Sequence, residues 1–173
     1  MSGSPVTNNK EKANLFNNYF GSVCATDNGD IPAVNKIVPH NVALDDIDCN
    51  RNAVLRALKN IKPNESSGRD NLPPVFFRKL SKVLAGPLSI LFSSFMLIGK
   101  LPEDWKNAIV LPVYKSGLSS QVENYRSISL TCVACKVMER VIGSSMLQYL
   151  RDNHIITRRQ HDFLSKKSTT SNV

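Results

Sequence analysis

The chain has 173 residues, 42% of them hydrophobic and 21% charged, enough apolar material for one packed domain or one piece of a larger one. Its formal net charge of +8 and pI near 9.5 point to a polyanionic partner. No uninterrupted run of about 18 apolar residues suggests a membrane span, and no basic-then-apolar leader suggests secretion, so an intracellular protein without a membrane partner is expected, nuclear or cytoplasmic left open.

Met1–Asn9 is small and polar and reads as a lead-in. Lys10–Ala25 has helical spacing, with Leu15, Phe16, Tyr19, Phe20 and Val23 on one face. Asn8 or Asn9 can cap it, and Glu11 suits the positive end of the helix dipole. Thr26–Val42, with Asn28-Gly29, Pro32 and Pro39, reads as an extended linker. Asp45, Asp46 and Asp48 precede a second periodic segment, Val54, Leu55, Leu58 and Ile61. The carboxylates suit a helix N-terminus; metal binding is the other reading.

Lys62–Asn71 is a polar loop without phosphate-loop spacing. Pro73-Pro74 can start a helix whose Phe76, Phe77, Leu80, Val83 and Leu84 face the core. Gly86-Pro87 is expected to end that helix and open another, Leu88–Ile98, capped by Gly99. Trp105 is the lone tryptophan, expected to pack beneath the following strand, with base stacking as the alternative.

Ala108–Leu130 reads as an antiparallel hairpin: AIVLPVY, a polar loop, then YRSISL. Pro112 has no N–H and so belongs at a sheet edge or a bulge. Lys115 sits where the first strand ends and Arg126 where the second begins. Two cations at one hairpin mouth suit phosphate, the arginine as a planar fork and the lysine as a mobile point charge. Val133–Leu150 is a long helical pattern ending near Arg151-Asp-Asn153. The tail is basic: Arg151, Arg158, Arg159, Lys166 and Lys167 stand against Asp152 and Asp162.

Other chemistries lack their residues. Cys132-x-x-Cys135 could be half a zinc site, a redox pair or packing. His154 and His161 do not have finger spacing, and the pair opens an apolar helix, where cysteine acts as a small hydrophobe. No nucleophile elbow or zinc-protease helix occurs, and no paired-carboxylate site stands out. The expected fold is α+β, mostly helical with a small antiparallel hairpin sheet.

Several blocks, in order, resemble the reverse transcriptases of non-LTR, LINE-like retrotransposons. They are Lys12-Ala-Asn-Leu-Phe-Asn17 with Tyr19-Phe20, Ser67-Gly68-Arg-Asp70 with Leu72-Pro73-Pro74, and Trp105-Lys-Asn-Ala-Ile-Val-Leu-Pro-Val-Tyr-Lys-Ser-Gly117. Downstream come Asn124-Tyr-Arg-Ser-Ile-Ser-Leu-Thr131, Cys135-Lys-Val-Met-Glu-Arg140, and Gln160-His-Asp-Phe163 with Ser168-Thr169. The resemblance implies the N-terminal and fingers part of a right-hand polymerase with an incomplete palm. Residues 1–44 would be a lead-in helix and linker, and 45–173 a partial reverse transcriptase domain truncated before the palm carboxylates.

By that resemblance the partners are an RNA template, a DNA primer and a dNTP. Lys115 and Arg126 would hold the nucleotide's phosphates, with Tyr125 and Ser129 as secondary contacts. Arg158, Arg159, Gln160, Lys166 and Lys167 would touch nucleic acid. No catalytic or metal-binding residue is expected within residues 1–173; Mg²⁺ is implied for the complete enzyme alone. The expectation is a fragment inactive by itself, the alternative a stand-alone basic nucleic-acid-binding module. The chain departs from the family pattern at Ser127, where a proline is usual, and at Asp162 and Leu164. Arg69 and Asn71 replace a proline and a glycine in the upstream loop.

Overall fold

The computed structural model of the chain describes residues 6–24, 29–30, 44 and 47–156. The linker read at Thr26–Val42 (except Gly29 and Asp30), Asp45, Asp46 and the tail beyond Ile156 lie outside those residues. The fold is α+β and mostly helical, with one two-stranded antiparallel sheet. In chain order come α1 (Asn9–Val23), α2 (Arg51–Lys59), α3 (Pro74–Lys79), α4 (Ser81–Ile98) and α5 (Glu103–Lys106). Then follow β1 (Ile109–Tyr114), β2 (Tyr125–Leu130) and α6 (Val133–Asp152).

Local chemistry sets most helix ends. The Asn8 side chain accepts from the Lys10 N–H at 2.8 Å and caps α1. At α2 the cap is Asn50, accepting from the Ala53 N–H at 2.9 Å. Asp48 acts one step behind, as acceptor for the Asn50 amide. Pro74 occupies the first turn of α3, where no intrahelical N–H is needed. Gly99, at φ +67°, ends α4 and donates to the Phe95 carbonyl at 2.9 Å.

The expected break at Gly86-Pro87 is not there. The chain breaks instead at Leu80 (φ −92°, ψ 13°), and α4 runs unbroken through Pro87. A proline normally pushes its predecessor out of the helical region by clashing with that residue's Cβ; Gly86 has no Cβ. Beside the proline, Arg51 Nη2 donates to the Lys82 carbonyl at 3.0 Å and straps α2 to α4. The shifted break also changes which side chains face inward. Phe77 is buried and Leu84 packs against the core, while Phe76, Leu80 and Val83 are 39%, 40% and 70% exposed.

Unbroken, α4 has 18 residues and a mean hydropathy of 1.6, long and apolar enough to cross a membrane by length and composition. The stretch is not an uninterrupted apolar run, since Lys82 and four serines lie in it, but the break expected at Gly86-Pro87 no longer divides it. Here α4 turns Ala85 and Phe92, both fully buried, into a protein core.

That core forms where α2 packs against both α4 and α6. Val54, Ala57 and Leu58 of α2 meet Ala85 and Phe92 of α4 and Val137, Met138 and Val141 of α6. Spacings of three, four and seven residues put each set on one helix face. Arg140 Nη1 reaches the Ala57 carbonyl at 3.4 Å and ties α6 to α2. Trp105 packs edge-to-face on Phe92 and Phe95, with centroids 6.0 and 5.3 Å away. It is a packing residue as expected, seated on α4.

Strands β1 and β2 pair from Ile109↔Leu130 to Tyr114↔Tyr125. The Lys115 N–H donates to the Asn124 carbonyl at 2.8 Å. By the two-residue alternation of antiparallel ladders, Val113↔Arg126, Leu111↔Ile128 and Ile109↔Leu130 are then the hydrogen-bonded pairs. Pro112↔Ser127 is not, so the proline costs the ladder nothing.

Phe92→Ala is expected to lower stability by about 3–5 kcal/mol through loss of transfer energy and the cavity left behind. Val83→Ala, on the exposed side of the same helix, should stay within about 0.5 kcal/mol. Urea unfolding followed by circular dichroism measures both.

Candidate functional site

The hairpin carries the two cations singled out in the sequence. Side chains alternate across a strand, so Lys115 lies on the same face as Val113, whose partner is Arg126. Lys115 and Arg126 are thus diagonal neighbours on one face, a relation that places such residues about 7–8 Å apart. Both are exposed. Neither side chain has an ion-pair or hydrogen-bond partner among the described residues, where the ion pair found is Lys106–Glu103 at 2.6 Å. Two unpaired cations with this separation can each meet a different oxygen of a polyphosphate.

The loop between them is held by its own side chains. Asn124 Nδ2 donates to the Leu118 carbonyl at 2.9 Å and lies 3.3 Å from Gln121 Oε1. Tyr125 OH donates to the Ser119 carbonyl at 2.9 Å, and Tyr114 OH to the Gly117 carbonyl. Gly117 has φ +92°, and a Cβ there would meet Asn124 Nδ2 at 2.6 Å. The backbone angle calls for glycine, and a Cβ there would also push aside the Asn124 amide that braces the loop. Sequence reasoning missed Asn124. Its signal is an asparagine closing a loop that holds a glycine, the residue pair that supplies left-handed turns and side-chain-to-backbone bonds.

Tyr125 also packs its ring against Phe16 of α1 (4.7 Å, edge-to-face) and Tyr114 (5.5 Å). Its geometry is that of hairpin packing and turn bonding. Between α1 and the hairpin face opposite the cations lies a groove of about 980 Å³, lined by Lys12, Phe16, Phe20, Val110, Ser127 and Ser129 among others.

The upstream loop docks at the other end of the hairpin. The Asn71 N–H donates to the Gly68 carbonyl at 3.1 Å, closing a turn with Arg69 second and Asn71 last. Proline is favoured at that second place, and Asn71 has φ +57°. A glycine fits such an angle without cost, and asparagine is among the better-tolerated substitutes. Both departures from the family pattern thus fall where the turn can absorb them. Lys136 Nζ donates to the Ser66 carbonyl at 3.3 Å and holds the loop to α6.

Cys132 and Cys135 are buried and free. Cys132 Sγ accepts from the Cys135 N–H at 3.4 Å as the cap of α6. Cys135 Sγ lies 3.4 Å from Glu139 Oε1 and 3.9 Å from the Trp105 carbonyl. Burial, and then the Glu139 charge, push the Cys135 thiol up to about 12. A thiol held protonated is neither a nucleophile nor a ready metal ligand, so packing is the reading that fits. Among the described residues no three His, Cys, Asp or Glu side chains converge, so they offer no donor set for Mg²⁺. Arg158, Arg159, Gln160, Lys166 and Lys167, the tail contacts read from the sequence, lie outside the described residues.

No family model matches the chain. It is 26% identical over 121 residues to a "Probable RNA-directed DNA polymerase from transposon BS" of Drosophila melanogaster, covering 69% of this chain and 13% of that protein. It is 31% identical over 84 residues to the "RNA-directed DNA polymerase from mobile element jockey" of the same organism, covering 48% of this chain and 9% of that protein. The chain thus spans about an eighth or less of the relatives it matches, and both come from the retrotransposon polymerases that its motif blocks resemble.

The buried thiol gives a pH test. Its folded value of about 12 lies above the ordinary 9.0, so the folded state holds the proton more tightly than the unfolded chain. That stability is whole below pH 9 and is lost as pH rises from 9 toward 12. Urea midpoints should fall more steeply over this range in the wild type than in Cys135→Ala.

Proposed function

We propose that this chain is the fingers-side segment of a retrotransposon RNA-directed DNA polymerase. In this reading Lys115 and Arg126 grip the phosphates of an incoming dNTP, beside an RNA template and a DNA primer. The observation that carries it is the pair of unpartnered cations on one face of a hairpin whose loop is braced by Asn124 and Tyr125. A braced loop holds its charges in place before ligand arrives, so less ordering entropy is lost on binding. The net charge of +8 and the similarity to two polymerases support the same reading.

Polymerisation itself requires metal-bound carboxylates that hold both the attacking and the leaving oxygen. The described residues gather no such set; in this reading the contribution of Lys115 and Arg126 is to bind and orient phosphate. By itself it is proposed to be inactive as a polymerase. Its basic surface would still hold RNA or DNA, as a stand-alone module would, with an affinity that falls as salt rises.

Changing Lys115 and Arg126 together to Ala is expected to weaken dNTP binding about tenfold, the size suited to two exposed, solvent-screened cations. Calorimetric titration at low salt measures it. Unchanged dNTP affinity in the double variant overturns the phosphate role. If RNA affinity falls while dNTP shows no binding to either protein, the stand-alone module is the correct reading. Primer extension on an RNA template with Mg²⁺ tests inactivity separately, and dNTP incorporation by the purified chain would overturn that part.

A further inference from the structure

The two cations stand in front of an aromatic cluster. Tyr114 precedes Lys115 and Tyr125 precedes Arg126, and the two tyrosines form the last cross-strand pair of the ladder. Successive side chains of a strand point to opposite faces, so both rings lie on the face behind the charges. Their centroids are 5.5 Å apart. Each hydroxyl reaches into the loop, Tyr114 to the Gly117 carbonyl and Tyr125 to the Ser119 carbonyl at 2.9 Å. Whatever fixes these two rings also fixes the backbone that carries both cations.

Phe16 fixes one of the rings from outside the hairpin. Its own ring meets Tyr125 edge-to-face at 4.7 Å and stacks on Phe20, one turn along α1, at 5.8 Å. Phe16, Tyr19 and Phe20 are half-buried, and α1 has no fully buried residue. The helix contributes nothing to the core of α2, α4 and α6. Its hold on the hairpin is a set of aromatic contacts beside an open groove of about 980 Å³. An element held by so little buried surface opens at low cost. The strands it braces have no buried residue either, so no core beneath the hairpin duplicates the contact.

We propose that Phe16 is a positioning residue for the phosphate site. Docked on Tyr125, it keeps the hairpin mouth ordered, with Lys115 and Arg126 as diagonal neighbours. With α1 undocked the mouth loosens, and the same cations bind phosphate less tightly. The inference rests on the reading that those cations hold phosphate. The effect is entropic, since a mouth already ordered loses less freedom when ligand arrives. Linkage makes it reciprocal, so bound phosphate favours docked α1 to the same extent. The amino-terminal helix thereby tunes affinity at a site on the opposite face of the hairpin.

Phe16→Ala removes the contact, and Phe16→Tyr keeps a ring in the open groove. Amide hydrogen exchange followed by mass spectrometry reads the ligand-free chain. Over residues 115–126 it is expected to run about 2–10-fold faster in Phe16→Ala, the factor one aromatic pair is worth, and at the wild-type rate in Phe16→Tyr. Exchange in α2, α4 and α6 should be unchanged in both. Calorimetric titration with a dNTP should show a loss of the same size for Phe16→Ala and none for Phe16→Tyr. A merely structural role would act in every background. A positioning role requires that Phe16→Ala weaken binding no further once Lys115 and Arg126 are both Ala. Saturating dNTP should slow exchange in α1 of the wild type and not of that double variant. Unchanged exchange over 115–126 in Phe16→Ala, equal losses in the two backgrounds, or lost protection in α2, α4 and α6 would each overturn the inference. If Phe16→Ala keeps full dNTP affinity while the double variant is weakened, the inference fails and the phosphate reading stands. If the double variant keeps full affinity, or no dNTP binds, the phosphate reading fails and this inference with it.

Discussion

Gly68 lies against the backbone at Thr131 and Cys132 so closely that a Cβ would meet three backbone atoms at 2.5 Å. The placement of the hairpin depends on that contact. β2 ends at Leu130 and α6 begins at Val133, so only two residues join the sheet to the longest helix. The Gly68 loop presses on those two. Around them Cys132 caps the helix, Cys135 reaches the Trp105 carbonyl and Lys136 ties the loop to α6. Backbone atoms at this distance leave room for no other residue at position 68, since displacing backbone is costlier than turning a side chain.

From that junction the molecule divides by physical character. Behind it, α2, α4 and α6 bury a continuous set of Val, Leu, Met and Phe side chains, which excludes water by ordinary packing. Ahead of it the hairpin projects with no buried residue in either strand. A hairpin without a core relies on its loop and its neighbours. Here the loop bonds to itself through Asn124, Tyr125 and Tyr114, and Phe16 braces one end from α1. The result is a charged face held in place without being covered.

The apolar surplus follows the same division. On α4, Val83, Ile90, Leu97 and Ile98 are 63–89% exposed, although Ala85 and Phe92 on the opposite face are fully buried. On the hairpin, the strip containing Ile109, Leu111, Val113 and Ile128 shares its face with the two cations. Contiguous exposed apolar surface of this kind marks contact surfaces in other proteins.

The sequence by itself determined what depends on near neighbours. Periodicity located α1, α2 and α6, because a helix face is written within three or four residues. Asn8 and Gly99 marked helix ends, because a cap bonds within a turn. The hairpin, with Lys115 at the end of one strand and Arg126 at the start of the other, was legible because alternation and loop length are local. What only the tertiary structure decided involves residues far apart in the chain. The helix break falls at Leu80 and not at Gly86-Pro87, and Arg51 of α2 bonds to the Lys82 carbonyl of α4, thirty-one residues away. Trp105 found Phe92 and Phe95, and Gly68 found Cys132 across more than sixty residues of chain. Even the site's bracing residue, Asn124, acts through Gly117 and Leu118 once the loop has closed. Patterns record which surfaces are apolar or charged; only packing decides which of them meet, because close contact and backbone strain are set by three-dimensional distance.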